Sequence, residues 1–258
     1  VNCFLNKLIN AFSQTAGNSA RSVAWNASAE CFFRQLDGYI VEDSTNAVVG
    51  RNRDQQPAYI LLAESPHTSE VSEKYPMAGD TGKEVSRVLG EMIGVADTNK
   101  LPALGYLLSK TCLDPCWTRF GIMNVSRLPL QKEAYTKNGY AGESECFRIL
   151  IDTFRTLRND MSVKPKSRRD PRTCQVQKAI LSDLQARLDG LSKKISEENP
   201  ETSFYIVPCG QVADDAMDQI CIPSGLTRRD AVPHPARNQW RNAQNLSSWL
   251  DELSASRS

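Results

Sequence analysis

The chain reads as an α/β domain built on a central, mainly parallel sheet of about four strands. Three observations predict this. Short apolar runs, Tyr59 to Leu62, Phe120 to Met123 and Phe204 to Val207, have the length and composition of strands buried on both faces. Each run ends in a loop of small, polar, Pro or Gly residues. Segments with apolar residues at helical spacing follow, and this alternation covers both faces of a parallel sheet and places ligands beyond the carboxyl ends of its strands.

The elements follow in order. Phe4, Leu5, Leu8, Ile9 and Phe12 recur at helical spacing, so residues 1–57 form a helical extension packed on the core, closed by the connector Gly50 to Pro57. The α/β domain spans 58–258. Its first strand, Tyr59 to Leu62, leads through Glu64 to His67 and then Gly79-Asp80-Thr81-Gly82 into a helix carrying Val85, Val88, Leu89, Met92 and Ile93. The second strand ends on Asn124, and Cys146 to Ile151 begins another helix. A basic helical insertion around 155–198 contains Arg155, Arg158, Lys164, Lys166, Arg168, Arg169 and Arg172, then the stripe Val176, Ile180, Leu184, Leu188, Leu191 and Ile195 of a long helix. The third strand runs through Pro208-Cys209-Gly210 into a helix around Val212 to Met217, and Ala231 and Val232 form a short final strand.

Composition limits the function classes. Thirty-one basic and thirty acidic residues nearly cancel, so a nucleic-acid partner is decided by local charge, and 155–172 is where a phosphate backbone finds it. Eight cysteines are dispersed without a Cys-x-x-Cys pair, which reads as reduced thiols in a cytoplasmic protein, with no metal and no cofactor. No apolar run approaches the roughly 18 residues of a membrane span.

The two histidines draw the site. His67 and His234 each sit beside proline just past an apolar run, where strand ends deliver chemistry, and histidine moves protons near neutral pH. Glu64, Asn124, Gly210 and His234 all fall at strand ends on the same side of the predicted sheet.

Four blocks carry a resemblance. Ala63-Glu64-Ser65-Pro66-His67-Thr68-Ser69-Glu70 with Pro76-Met77-Ala78-Gly79-Asp80-Thr81-Gly82, Ile122-Met123-Asn124-Val125, Val207-Pro208-Cys209-Gly210-Gln211-Val212-Ala213, and His234-Pro235-Ala236 stand in this order along the chain. Together they resemble the motifs of the uracil-DNA glycosylase superfamily, whose iron-sulfur classes write GEAPGxxE, PFxGxAG, LGxxA and HPS. The resemblance implies a three-layer α/β/α sandwich that acts as a monomer on DNA, flips a uracil or modified pyrimidine out of the strand and hydrolyses its N-glycosidic bond. It implies Glu64 and His234 as catalytic residues and Asn124, Met77, His67 and Ser65 as base-binding ones. Arg168 and Arg169, with Arg237, Asn238 and Trp240 after the closing motif, would contact the DNA; Trp240 serves either as a wedge or as a core anchor.

The departures are specific. Met77 replaces the stacking phenylalanine, His67 replaces glycine, Ser65 replaces alanine, and the iron-sulfur cysteine pattern is absent. A pocket so altered suits a bulkier 5-substituted pyrimidine, of the kind viruses place in their DNA, for repair or defence. Two other readings stand beside this one: a nucleic-acid-binding relative that has lost catalysis, and a hydrolase of free nucleosides or nucleotides.

Overall fold

The computed structural model describes residues 3–13, 31–50, 56–110, 114–140, 144–168, 170–235, 239–240 and 246. Its helices and strands run α1 (Cys3–Ser13), α2 (Asn46–Gly50), β1 (Ala58–Ala63), α3 (Thr68–Glu73), α4 (Asp80–Ile93), α5 (Leu104–Ser109) and β2 (Phe120–Asn124). They continue with α6 (Lys132–Thr136), α7 (Glu145–Asn159), α8 (Pro171–Glu198), β3 (Phe204–Pro208), α9 (Gln211–Met217) and β4 (Leu226–Arg228). The four strands form one parallel sheet in the order β2-β1-β3-β4.

β1 is central and apolar throughout, as a strand covered on both faces must be. Alternate residues serve opposite layers. Ala58, Ile60 and Leu62, with Met123, Phe204 and Ile206, pack against α1, α7, α8 and α9. Tyr59 and Leu61, with Phe120, Ile122 and Val207, pack against α4 and α5. Helix, sheet and helix thus make the three-layer α/β/α arrangement expected from the alternation.

Three details refine the sequence reading. The fourth strand is Leu226–Arg228, three residues too short for a periodic pattern to be visible, while Val232 makes only a single parallel bridge with Cys209. The long helix α8 packs its stripe on the core as its spacing predicts, Val176, Ile180, Leu184, Leu188, Leu191 and Ile195 lying in the cluster it shares with Phe4, Leu5 and Leu8 of α1. Finally, Ser44 pairs antiparallel with Ile122, so the N-terminal segment covers the β2 edge.

Among the described residues no helix is long and apolar enough to cross a membrane.

Candidate functional site

Beyond the carboxyl ends of β1 and β3 lies a cavity of about 160 Å³. A cavity of about 150 Å³ is known to accommodate one benzene ring, so this one has room for a single six-membered ring. Glu64, Ser65 and His67 line it from the β1 loop, Glu70 and Met77 from α3 and the turn after it, and His234 from beyond β3. The N-terminus of α4 contributes Asp80 and Thr81.

Glu64 is nearly enclosed, at 6% exposure, and its Oε1 accepts a hydrogen bond from Arg158 Nε at 2.6 Å. Its Oε2 has no hydrogen-bond partner among the described residues. Arg158 stands in the last turn of α7, where a cation complements the partial negative charge of the helix end. The charge of a buried carboxylate is thereby matched from the helical layer on one side of the sheet, while Met77 closes the cavity from the other.

The two imidazoles meet across the cavity edge-on, with centroids 6.3 Å apart. Burial lowers the pKa of each below the ordinary histidine value; the Glu64 carboxylate pulls partly back, and a smaller effect of the Arg158 guanidinium adds to the lowering. For His67 the second histidine also lowers it. A lowered value favours the neutral imidazole, which keeps one N–H to donate. The Gln131 amide lies 3.4 Å from His67 Nε2.

His234 reaches the cavity because of Gly210. After β3 the chain pairs once more with Val232, through Gly210 N–H to Val232 C=O at 2.8 Å and Val232 N–H to Pro208 C=O at 2.9 Å. Gly210 has φ 92°, and a Cβ there would approach the His234 Cβ to 3.1 Å. A side chain at this position would be strained and would press the imidazole out of place.

Glu70 is a second buried carboxylate in the wall. It lies at the third position of α3, where its Oε2 takes the backbone N–H of His67 at 2.5 Å, as in a capping box. Its Oε1 takes the backbone N–H of Met77. Burial pushes its pKa up to about 7, with these two N–H donors pulling partly back. Met77 itself has φ 52°, a left-handed conformation rare for a side chain of this size. Its carbonyl is crowded by Gly82, where a Cβ would come within 1.8 Å of the Met77 oxygen. Strain of this kind, held by a carboxylate and a glycine, is characteristic of ligand-binding walls.

Of the residues singled out from sequence, Glu64, Ser65, His67, Met77 and His234 thus come together. Ser65 is committed within the protein, its Oγ accepting the Leu130 N–H at 3.3 Å. Asn124 does not line the cavity, a correction that follows from strand order: β2 lies on one side of β1, and the cavity opens over β1 and β3 on the other. Asn124 pairs in register with Ala63, is 1% exposed, and leaves Oδ1 with no partner among the described residues. Its peptide is clamped on both sides, the N–H by Asp43 and the C=O by Arg187 at 2.7 Å.

The expected DNA contacts divide. Arg168 is turned inward, donating to Gln177 Oε1 at 2.5 Å and to the Asp160 carbonyl, so its charge is spent on joining the end of α7 to α8. Trp240 is 1% exposed and donates its indole N–H to the Pro233 carbonyl at 2.8 Å, which makes it the core anchor and removes it as a wedge. Arg169, Arg237 and Asn238 lie outside the described residues.

Sequence reasoning missed Arg158 and Glu70 as site residues. Glu70 carried a signal, since glutamate three residues after a helix-capping position is the capping-box spacing. Arg158 carried none, being 94 residues from Glu64. Among the described residues no group of three or more His, Cys, Asp or Glu is placed to hold a metal ion. No protein-family model and no curated protein matches the chain.

Proposed function

We propose that the protein is a DNA glycosylase that hydrolyses the N-glycosidic bond of a uracil or modified pyrimidine flipped into this cavity. The observation that carries the reading is the convergence of the Glu64 carboxylate and two imidazoles on a space for one ring. The first and last of the four motifs that resemble the uracil-DNA glycosylase superfamily supply these residues.

The chemistry follows from the groups present. As the C1′–N bond breaks, its electron pair leaves with the base and C1′ becomes cationic. The Glu64 carboxylate stabilises that cation and, through the unpartnered Oε2, takes a proton from the water that adds to C1′. The His234 N–H donates to the oxygen on which the departing base gathers charge. Met77 presses an adaptable apolar surface on the ring, and His67 faces its edge, which suits a 5-substituted pyrimidine better than plain uracil.

A second reading is favoured by one contact. The Arg158 ion pair occupies Glu64, and a carboxylate so held suits a protein that binds an extruded base without cutting it. Incubating the protein with oligonucleotides carrying uracil or 5-substituted pyrimidines, and identifying released bases by mass spectrometry, separates the two. Base release that disappears in Glu64→Gln supports the glycosylase. Tight binding of the same strands with no base released by the native protein supports the second reading.

A further inference from the structure

Arg158 satisfies Glu64 with Nε alone. Its two Nη groups have no hydrogen-bond partner among the described residues, and the side chain is 44% exposed. Arg158 is not itself a lining residue of the cavity; it reaches the site through Glu64, which is, so its open edge stands beside the cavity carboxylate. This is unlike the other arginines that bridge the layers. Arg187 uses all five N–H donors within the protein, and Arg168 is turned inward onto Gln177 and Asp160. A planar fork with one edge fixed on a carboxylate and the other open to solvent is preorganised for an oxyanion of matching geometry.

We infer that Arg158 is the phosphate-recognising residue of the site, its Nη edge binding a phosphate of the nucleotide whose base enters the cavity while Nε keeps Glu64 in place. The inference rests on the proposed use of the cavity for a base still attached to its sugar-phosphate, whether or not the bond is then cut. Arg155, exposed one turn earlier on the same face of α7, is by contrast ion-paired with Asp152 at 2.8 Å, so the open edge of Arg158 carries the recognition on this face. The geometry also couples binding to the carboxylate: phosphate draws charge from the guanidinium and loosens its hold on Oε1 as the sugar arrives beside Oε2.

The test is equilibrium binding of a fluorescein-labelled single-stranded oligonucleotide carrying one tetrahydrofuran abasic-site analogue, followed by anisotropy across a potassium chloride series. Arg158→Gln should weaken binding about tenfold and reduce the slope of log affinity against log salt by about 0.7, the value for one lost phosphate contact on a single strand. Arg158→Lys should keep the slope and lose affinity severalfold, because the charge remains and the fork does not. Lys193→Gln, on the exposed face of α8, should change neither.

An unchanged slope and affinity in Arg158→Gln overturn the inference, as does an oligonucleotide that the native protein does not bind. If Arg158→Gln fails to fold, native affinity in Arg158→Lys overturns it equally. Competition with uridine 5′-monophosphate separates the sources of the phosphate: displacement at concentrations comparable to the oligonucleotide assigns it to a free nucleotide, and no displacement assigns it to a strand. Base release, measured separately, distinguishes failure of the glycosylase reading from failure of this one.

Discussion

Two polar regions flank the end of β1, and they differ in how completely they are satisfied. On one side Arg187 and Arg127 meet the buried Asp43 and Asp183, with the exposed Glu42 at the rim, and Asp183 takes N–H donors from both arginines at 2.8 to 3.2 Å. Arg187 adds bonds to the Asn124 and Val125 carbonyls at 2.7 and 3.0 Å. On the cavity side Glu70 has neutral N–H partners and no cation, Met77 is held left-handed, and Arg158 keeps one edge open. Buried charge that is fully paired fixes a backbone position, whereas incomplete pairing leaves capacity for a ligand. The contrast locates the scaffold and the site without reference to any motif.

The largest expected effect comes from opening the Arg187 network. Arg187→Ala removes the arginine partner of buried Asp43, one of the two arginines held by Asp183, and the donor to two carbonyls at the end of β2, and should cost about 3–5 kcal/mol, measured by urea unfolding. A loss below about 1 kcal/mol would show that the network tolerates an open edge as the cavity does.

Glu70 sharpens the comparison through pH. Its folded pKa of about 7 lies above the ordinary 4.5, so between these values the folded protein holds a proton that the unfolded chain has released. Stability from this group is present below about pH 4.5 and lost as pH rises through 7, a change on the order of 3 kcal/mol. The histidines act in the opposite direction, their lowered values favouring the folded state at higher pH. Urea unfolding of native protein and Glu70→Gln at pH 5 and 7.5 isolates the Glu70 share, and parallel pH profiles for the two proteins would refute it.

His234→Ala should slow base release by about 10²-fold while changing oligonucleotide affinity little, because charge on the leaving base develops in the transition state. Single-turnover rates and anisotropy measure the two separately. Equal losses in both would make His234 a ground-state contact.

The smallest effect concerns the anchor of the His234 loop. Trp240→Phe keeps the apolar packing and leaves the Pro233 carbonyl without its donor, costing about 1 kcal/mol in thermal unfolding. A wedge role predicts the reverse, full stability with weakened binding to duplex DNA.

The periodicity of Tyr59 to Leu62, Phe120 to Met123 and Phe204 to Val207 was enough to place three parallel strands and the helices around them, because burial on both faces leaves a continuous apolar run that chain order alone reveals. The positions of Glu64, His67 and His234 at strand ends were legible for the same reason: a parallel sheet delivers its loops to one edge. What no local pattern encodes is which side of β1 the cavity takes, and there Asn124 was misplaced. Strand order β2-β1-β3 arises from long-range pairing, with Leu61 beside both Ile122 and Val207, and such pairings leave no periodic trace. The partner of Glu64 is hidden likewise. Arg158 belonged to a run of basic residues that looked uniform along the chain, and packing α7 against the sheet set it over a buried carboxylate while Arg168 was turned inward. Charge is a local property of sequence; whether it is spent inside the protein or kept for a ligand is settled by which distant groups the fold brings within hydrogen-bond reach.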